Sequence, residues 1–319
     1  MIELAARLWR APILLLVLAE LFWAGSFVLG GAVRADVPPV ALAFWRWVGG
    51  LVLVLCFAGP HLVRDLPVLR RHWRITAVMS VFGVGGYNTL IYLGLQTTTV
   101  LNAALLQSAM PLLILLCSFM IFGERPSLRQ FVAVLISLGG VAVIVAHGEP
   151  ATLLRLRLNP GDIWVLIAAL IYAAYSALLR RRPTVHPLSF LAASFAVGVL
   201  TLLPFYTWEI LAGHHMRLTP LAVTTLIYLA MLPAFASYLF YNRGVELIGA
   251  NRAGQFMHLI PVFASILAIA LLGESFQIYH MVGIALIAAG IVLASRGGTQ
   301  VSPAFPEAGA PPPPVPRAG

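Results

Sequence analysis

Asn88 and Tyr92 stand four residues apart, a spacing that puts both on one face of a helix. At an offset of 150 residues the same two chemistries return in swapped order, as Tyr238 and Asn242. Gln255 and His258 follow soon after, and the same offset maps His258 onto Ser108. Trp23 and Ser26 are echoed more weakly by Tyr172 and Tyr175. Amides, hydroxyls and an imidazole beside large rings supply neither an activated nucleophile nor a pair of acid–base carboxylates. They suit recognition: rings stack on an apolar body, while Asn, Gln or backbone carbonyls hold an amine. The solute so described is small, neutral or zwitterionic, and partly apolar. The alternative is that these groups hydrogen-bond between helices in a packed bundle, at roughly 0.6 kcal/mol each. Convergence of pseudo-symmetric positions from six segments favours a shared cavity.

Three charges fall inside apolar runs: Glu20, Arg46 and Arg252. Each is costly in a bilayer unless paired or hydrated. At the rise of a helix, Glu20 lies roughly 12 Å and Arg252 roughly 8 Å from the cytoplasmic side, while Arg46 enters roughly 12 Å from the outer side. Depth favours a Glu20–Arg252 ion pair over Glu20–Arg46; a proton-coupling role for Glu20 is the alternative. Glu124 and Glu274 follow glycines and read as helix caps, and His214 and His215 as solvated loop residues. No zinc motif, phosphate loop or nucleophile elbow occurs, and no cofactor is expected. An intramembrane enzyme would need acids or histidines converging at one depth, and only His258 and Glu20 are candidates.

The elements that must position these residues follow from composition. Of 319 residues, 61% are hydrophobic and 10% charged, against roughly 25% charged in an average soluble domain. Long apolar runs recur from Pro12 to Arg296, so the bilayer is the solvent. The net charge of +9 comes from arginine alone, since lysine is absent. The arginines cluster between apolar runs, which points to membrane topology rather than nucleic acid. Cys56 and Cys117 sit within such runs and read as core residues, not a disulfide or metal ligands. The first run is too long for a signal peptide and reads as a retained helix.

Ten segments of near-spanning length can be marked: 12–33, 38–58, 75–95, 99–122, 128–146, 162–179, 187–209, 220–242, 247–272 and 277–295. With the N-terminus inside, fourteen arginines fall on the cytoplasmic side and four outside, which places both termini in the cytoplasm. Trp9, Trp73, Trp164 and Trp208 lie near segment ends, as interfacial anchors do. Beyond Arg296 the chain is proline-rich, without apolar periodicity, and reads as a disordered or polyproline tail at 297–319.

Two stretches are written alike, "MPLLILLCSFMIFGE" ending at Glu124 and "IPVFASILAIALLGE" ending at Glu274. Segments four and five thus match nine and ten at the 150-residue offset, with Gly140 on Gly290. The unit is five helices: a first repeat at 1–146, a linker at 147–160 and a second repeat at 161–296. Five is odd, so the second copy enters the membrane from the opposite side, giving an all-α protein of ten transmembrane helices in two inverted repeats. In secondary transporters such repeats exchange conformations about a midplane site. Pro111 and Pro261 fall mid-helix in this reading, where each removes a hydrogen bond and bends its segment.

The chain here resembles the drug/metabolite transporter superfamily, in particular bacterial exporters of two EamA-type repeats. The residues that carry the resemblance are "FWAGSF" at 22–27, "FWRW" with Arg46, and the two Pro–(x)11–Gly-Glu runs. Within the family the chain looks most like the aromatic amino-acid exporters. The resemblance implies a multi-pass protein of the bacterial inner membrane that exports small metabolites, amino acids among them, and not an enzyme. A proton-coupled drug exporter is the alternative. Phe195 stands near where a second Arg46 would align, so that feature is not duplicated.

Overall fold

The computed structural model of the chain describes residues 7–95, 97–98, 100–154, 159–272 and 276–295. Among the described residues, seven stretches are long and apolar enough to cross a bilayer: Pro12–Ala32, Pro39–Arg71, Asn102–Phe122, Leu128–Val145, Pro160–Arg181, Pro187–Leu211 and Pro220–Ile248. A shorter apolar helix spans Ile278–Ala294. The chain is an all-helical multi-pass membrane protein. The Gly273–Glu274 pair, the tail and residues 155–158 of the linker lie outside the described residues.

Fifteen helices are labelled in chain order: α1 (Pro12–Ala32), α2 (Pro39–Arg71), α3 (Trp73–Ser80), α4 (Tyr87–Leu95), α5 (Val100–Ser108), α6 (Met110–Phe122), α7 (Leu128–Val145), α8 (Pro150–Leu154), α9 (Pro160–Leu178), α10 (Pro187–Leu211), α11 (Pro220–Leu229), α12 (Ser237–Ile248), α13 (Ala250–Ala253), α14 (Leu259–Leu272) and α15 (Ile278–Ser295). Proline opens α1, α2, α9, α10 and α11. At a helix start the missing N–H would have had no partner anyway, and the fixed φ is already helical. Ser127 and Gln130 close a capping box before α7, and Gly123 ends α6 in the left-handed region at φ 70°.

Three local features depart from the sequence expectation. First, α2 runs through Pro60 and Pro67 to Arg71, well past residue 58. The apolar run ends there, but helicity does not, and the added turns carry Asp65 to the start of α10. Second, Pro111 and Pro261 fall mid-segment but not inside an unbroken helix. They lie in the first turns of α6 and α14, where proline is tolerated. The interruption comes just before them: α5 stops at Ser108, and Gly254–His258 winds as a 3-10 turn. Third, the third and eighth segments are each broken by a π-helical stretch, Val81–Gly86 and Ala230–Ala236. Wide turns of this kind release carbonyls from the regular ladder and recur at functional sites.

The halves pack reciprocally. α1 lies against α12 and α14, and α9 against α4 and α6; α2 pairs with α10, and α7 with α15. At the α7–α15 seam, a Cβ on Gly140 would lie 2.7 Å from the Gly283 carbonyl oxygen and 3.0 Å from the Ile287 nitrogen. A Cβ on Gly290 would meet the Ala133 oxygen at 2.6 Å and the Ser137 nitrogen at 3.0 Å. Adding 150 turns Ala133, Ser137 and Gly140 into Gly283, Ile287 and Gly290. The same contact is therefore made twice, as a two-fold relation requires.

The α2–α10 pair is held at both ends by buried acids. Glu209 on α10 accepts the N–H groups of Val40 (3.1 Å) and Ala41 (2.7 Å) at the start of α2. Asp65 on α2 accepts the N–H of His186 (2.8 Å) at the start of α10. A carboxylate at a helix N-terminus satisfies orphan donors and complements the dipole. Apolar side chains such as Phe57, Met120, Trp164 and Leu200 face outward, as a lipid-facing surface demands.

Candidate functional site

Rings from both halves meet in the interior. Trp23 on α1 contacts Tyr172 (6.3 Å between centroids), Tyr238 (5.6 Å) and Tyr241 (5.4 Å). Tyr172 also contacts Tyr175 at 5.4 Å and Tyr87 at 4.9 Å. Trp47 on α2 meets Tyr238 at 5.0 Å and Phe195 at 4.9 Å. These distances lie in the range of favourable edge and tilted ring pairs. Periodicity explains the meeting: Leu16, Glu20 and Trp23 share one face of α1, and Leu16 packs on Gly244 of α12. The face thus looks onto the stripe of Tyr238 and Tyr241.

The π stretches supply acceptors. Pro233 lies in the second, and its carbonyl accepts the Trp23 indole N–H (2.9 Å) and an Arg46 guanidinium N–H (3.2 Å). Tyr238 donates its hydroxyl to the Gly83 carbonyl in the first stretch. Each half therefore reaches into the other half's π turn. Arg46 also lies over the Trp47 ring at 5.0 Å.

Several polar atoms in this interior are buried without a hydrogen-bond partner among the described residues: both carboxyl oxygens of Glu20, Nε of Arg46, the Tyr172 hydroxyl, Nδ2 of Asn242 and both side-chain ends of Gln255. Buried polar groups are normally paired, and each exception asks for a reason.

Of the residues singled out by sequence, Trp23, Tyr172, Tyr175 and Tyr238 converge, and Asn242 joins them by accepting the Tyr175 hydroxyl at 2.9 Å. Asn88 is buried but donates to Val84 O on its own segment at 3.0 Å. The Tyr92 side chain lies outside the described residues. Gln255 and His258 are buried in the 3-10 turn, and His258 Nε2 lies 2.8 Å from the Ser108 carbonyl, its counterpart at the 150-residue offset. Among the described residues neither carboxyl oxygen of Glu20 has a hydrogen-bond partner, so the Glu20–Arg252 ion pair does not form.

Sequence reasoning passed over Tyr241, Trp47 and Tyr87. Tyr241 is fully buried and donates to Ser176 Oγ at 3.0 Å; Tyr87 donates to Gln107 Oε1 at 2.7 Å. Tyr241 stands three residues after Tyr238, a spacing that would have marked it. Among the described residues no three His, Cys, Asp or Glu side chains converge as a metal site would need.

Curated relatives share this extent of chain at modest identity. The uncharacterized transporter YyaM of Bacillus subtilis is 24% identical over 282 residues, 86% of this chain and 90% of its own length. The uncharacterized inner membrane transporter YicL of Salmonella typhimurium is 24% identical, covering 90% of this chain and 95% of its own. A protein of Streptantibioticus cattleyicolor named a probable terminal-alkyne amino-acid exporter is 26% identical, covering 88% and 92%. A solved crystal structure matches with a TM-score of 0.74 at 21% identity, over 89% of this chain and 96% of its own, so the fold is shared. The two helical halves that meet at the ring cluster, residues 10–146 and 159–296, each match the same family, and the chain belongs to the EamA-like transporter family.

Proposed function

We infer that this chain exports small neutral or zwitterionic metabolites, with aromatic amino acids foremost, by alternating access of two inverted five-helix halves. Ten membrane crossings, repeats at 1–146 and 161–296 and two cytoplasmic termini belong to this reading, as does a place in the bacterial inner membrane. The observation that carries it is the ring cluster of Trp23, Tyr172, Tyr175 and Tyr238, drawn from both halves and set among partnerless polar atoms. An apolar solute body exchanges ring–ring contacts for ring–solute contacts, and the polar atoms find partners on its head. The relative named as an amino-acid exporter supports the solute class. The reciprocal seam and the breaks before Pro111 and Pro261 support rocking of one half against the other.

The test is uptake and efflux in proteoliposomes with a panel of labelled amino acids, sugars and cationic drugs. Saturable transport of phenylalanine or tyrosine supports the reading. Transport of sugars alone refutes it. Proton-coupled drug export is the second reading, favoured by the partnerless Glu20, and drug efflux that collapses the pH gradient would establish it.

A further inference from the structure

α2 is longer than a bilayer needs. Its 33 residues make about 50 Å at the helical rise, against a hydrocarbon core of about 30 Å. Even at an ordinary tilt of about 20°, its last turns leave the core. One face of these turns is fixed to the protein: Leu62 packs on the interior, and Asp65 holds the His186 N–H at 2.8 Å. The opposite face is open. Val63, Leu66, Pro67 and Arg70 are exposed at the i, i+3, i+4, i+7 spacing of one helix face. Every residue from Arg70 to Arg74 is exposed as well.

Trp73 gives the level of this face. It opens α3 just after the turn at His72, is 61% exposed, and carries the Arg74 guanidinium over its ring at 5.7 Å. An exposed tryptophan at a helix end marks the headgroup region. Arg70, Arg71 and Arg74 stand within three residues of it, and five consecutive residues span less than about 18 Å. Three guanidiniums therefore meet one small area at headgroup level.

Their charge is uncompensated. Asp65 is the sole acid between Asp36 and Glu124 in the sequence, and it is turned inward; Arg64 reaches it at 3.5 Å. Other arginines at this end have acids of their own: Arg180 meets Glu124, while Arg182 and Arg243 share Glu246. Among the described residues, Arg70, Arg71 and Arg74 make no ion pair. A bare cationic cluster beside exposed apolar side chains and a tryptophan matches the edge of a lipid leaflet in both charge and polarity. A soluble acidic partner would match the charge alone.

We propose that this face is a docking surface for anionic phospholipid, with Arg70, Arg71 and Arg74 holding the headgroup phosphates. The leaflet is the cytoplasmic one in the topology proposed above, but the binding itself does not depend on that topology.

The test uses the full chain in an uncharged detergent, titrated with phosphatidylglycerol or with phosphatidylcholine of the same acyl chains. Native mass spectrometry reads the lipid retained. At low salt the unaltered protein should retain phosphatidylglycerol at least about tenfold better, and high salt should shrink the difference. Arg70→Gln, Arg71→Gln and Arg74→Gln should each weaken phosphatidylglycerol by about fivefold and leave phosphatidylcholine unchanged. Arg180→Gln removes the same charge from an arginine that has its own acid, and should change the preference little. Equal retention of the two lipids by the unaltered protein overturns the proposal without any variant, and leaves the arginines to topology or to an acidic partner. An equal loss in Arg180→Gln also overturns it, because the preference would then follow net charge and not this face. Reporter fusions that reverse the topology would change the leaflet and leave the lipid preference standing.

Discussion

Tyr238 meets rings from both halves and ties one of them to the other's π turn through Gly83. Two substitutions separate its two parts. Tyr238→Phe keeps the ring and removes the hydroxyl, so it should cost about 1 kcal/mol of stability and leave substrate preference alone. Tyr238→Ala removes the ring and should weaken transport of aromatic solutes more than that of small ones, because lost contact scales with apolar area. Asn242→Ala should lower all substrates alike, by leaving the Tyr175 hydroxyl without its acceptor. The measurement is a substrate panel normalised to folded protein; a uniform fall for Tyr238→Ala that tracks lost stability would assign the ring to packing alone. Residue types told much of this in advance. Trp23, Tyr172, Tyr175 and Tyr238 could be found because their spacing recurs between the halves. Tyr241 and Trp47 have no such echo, and depth along a helix alone could not choose a partner for Glu20.

At the level of elements, the α7–α15 seam rests on glycines whose backbones nearly touch. Gly140→Ala and Gly290→Ala should each destabilise by about 1–3 kcal/mol through overpacking, since the atoms in the way include backbone that cannot rotate aside. Gly139 has open space around it, so Gly139→Ala should be neutral or gain up to about 1 kcal/mol of helix propensity. Thermal melts in detergent compare the three directly. The junction of α2 with α10 should also respond to pH. The His186 and His61 rings stack at 3.8 Å; burial and His61 together hold His186 below its ordinary value, with Asp65 opposing. The unfolded chain therefore takes up its proton first as pH falls. Stability from this group is fully present above the ordinary histidine value of about 6.5 and is lost as pH drops below it. His186→Asn keeps a capping side chain and should flatten that part of the melting curve against pH. The capping acids Asp65 and Glu209 were invisible from sequence, because their partners lie 121 and 168–169 residues away. The π turns were hidden for a different reason: Gly83, Gly85, Gly86 and Pro233 mark local looseness but do not say which way a helix will widen.

For the whole molecule, composition alone decided that the chain lives in a bilayer, and the 150-residue echo decided that it has two parts. Reporter fusions at the C-terminus and in the loop at His214 should give opposite signals, cytoplasmic for the first and external for the second. A cytoplasmic signal from the loop would sink the proposed topology. A crosslink that holds α2 to α10 at one end should stop transport while leaving the fold intact, as alternating access demands; continued flux at channel-like rates would contradict it.

The seam between α7 and α15 carries a further consequence, which concerns descent and dilution. A surface that meets its own repeat through Ala133, Ser137 and Gly140 against Gly283, Ile287 and Gly290 is self-complementary. Two separate copies of a half-length ancestor could have met through one such patch in opposite orientations, with an assembly that rose and fell with expression. Joining the copies into one chain replaces that bimolecular encounter with an intramolecular one. It also releases each copy from serving both roles, so that Arg46 can remain in one half while Phe195 stands near its counterpart in the other.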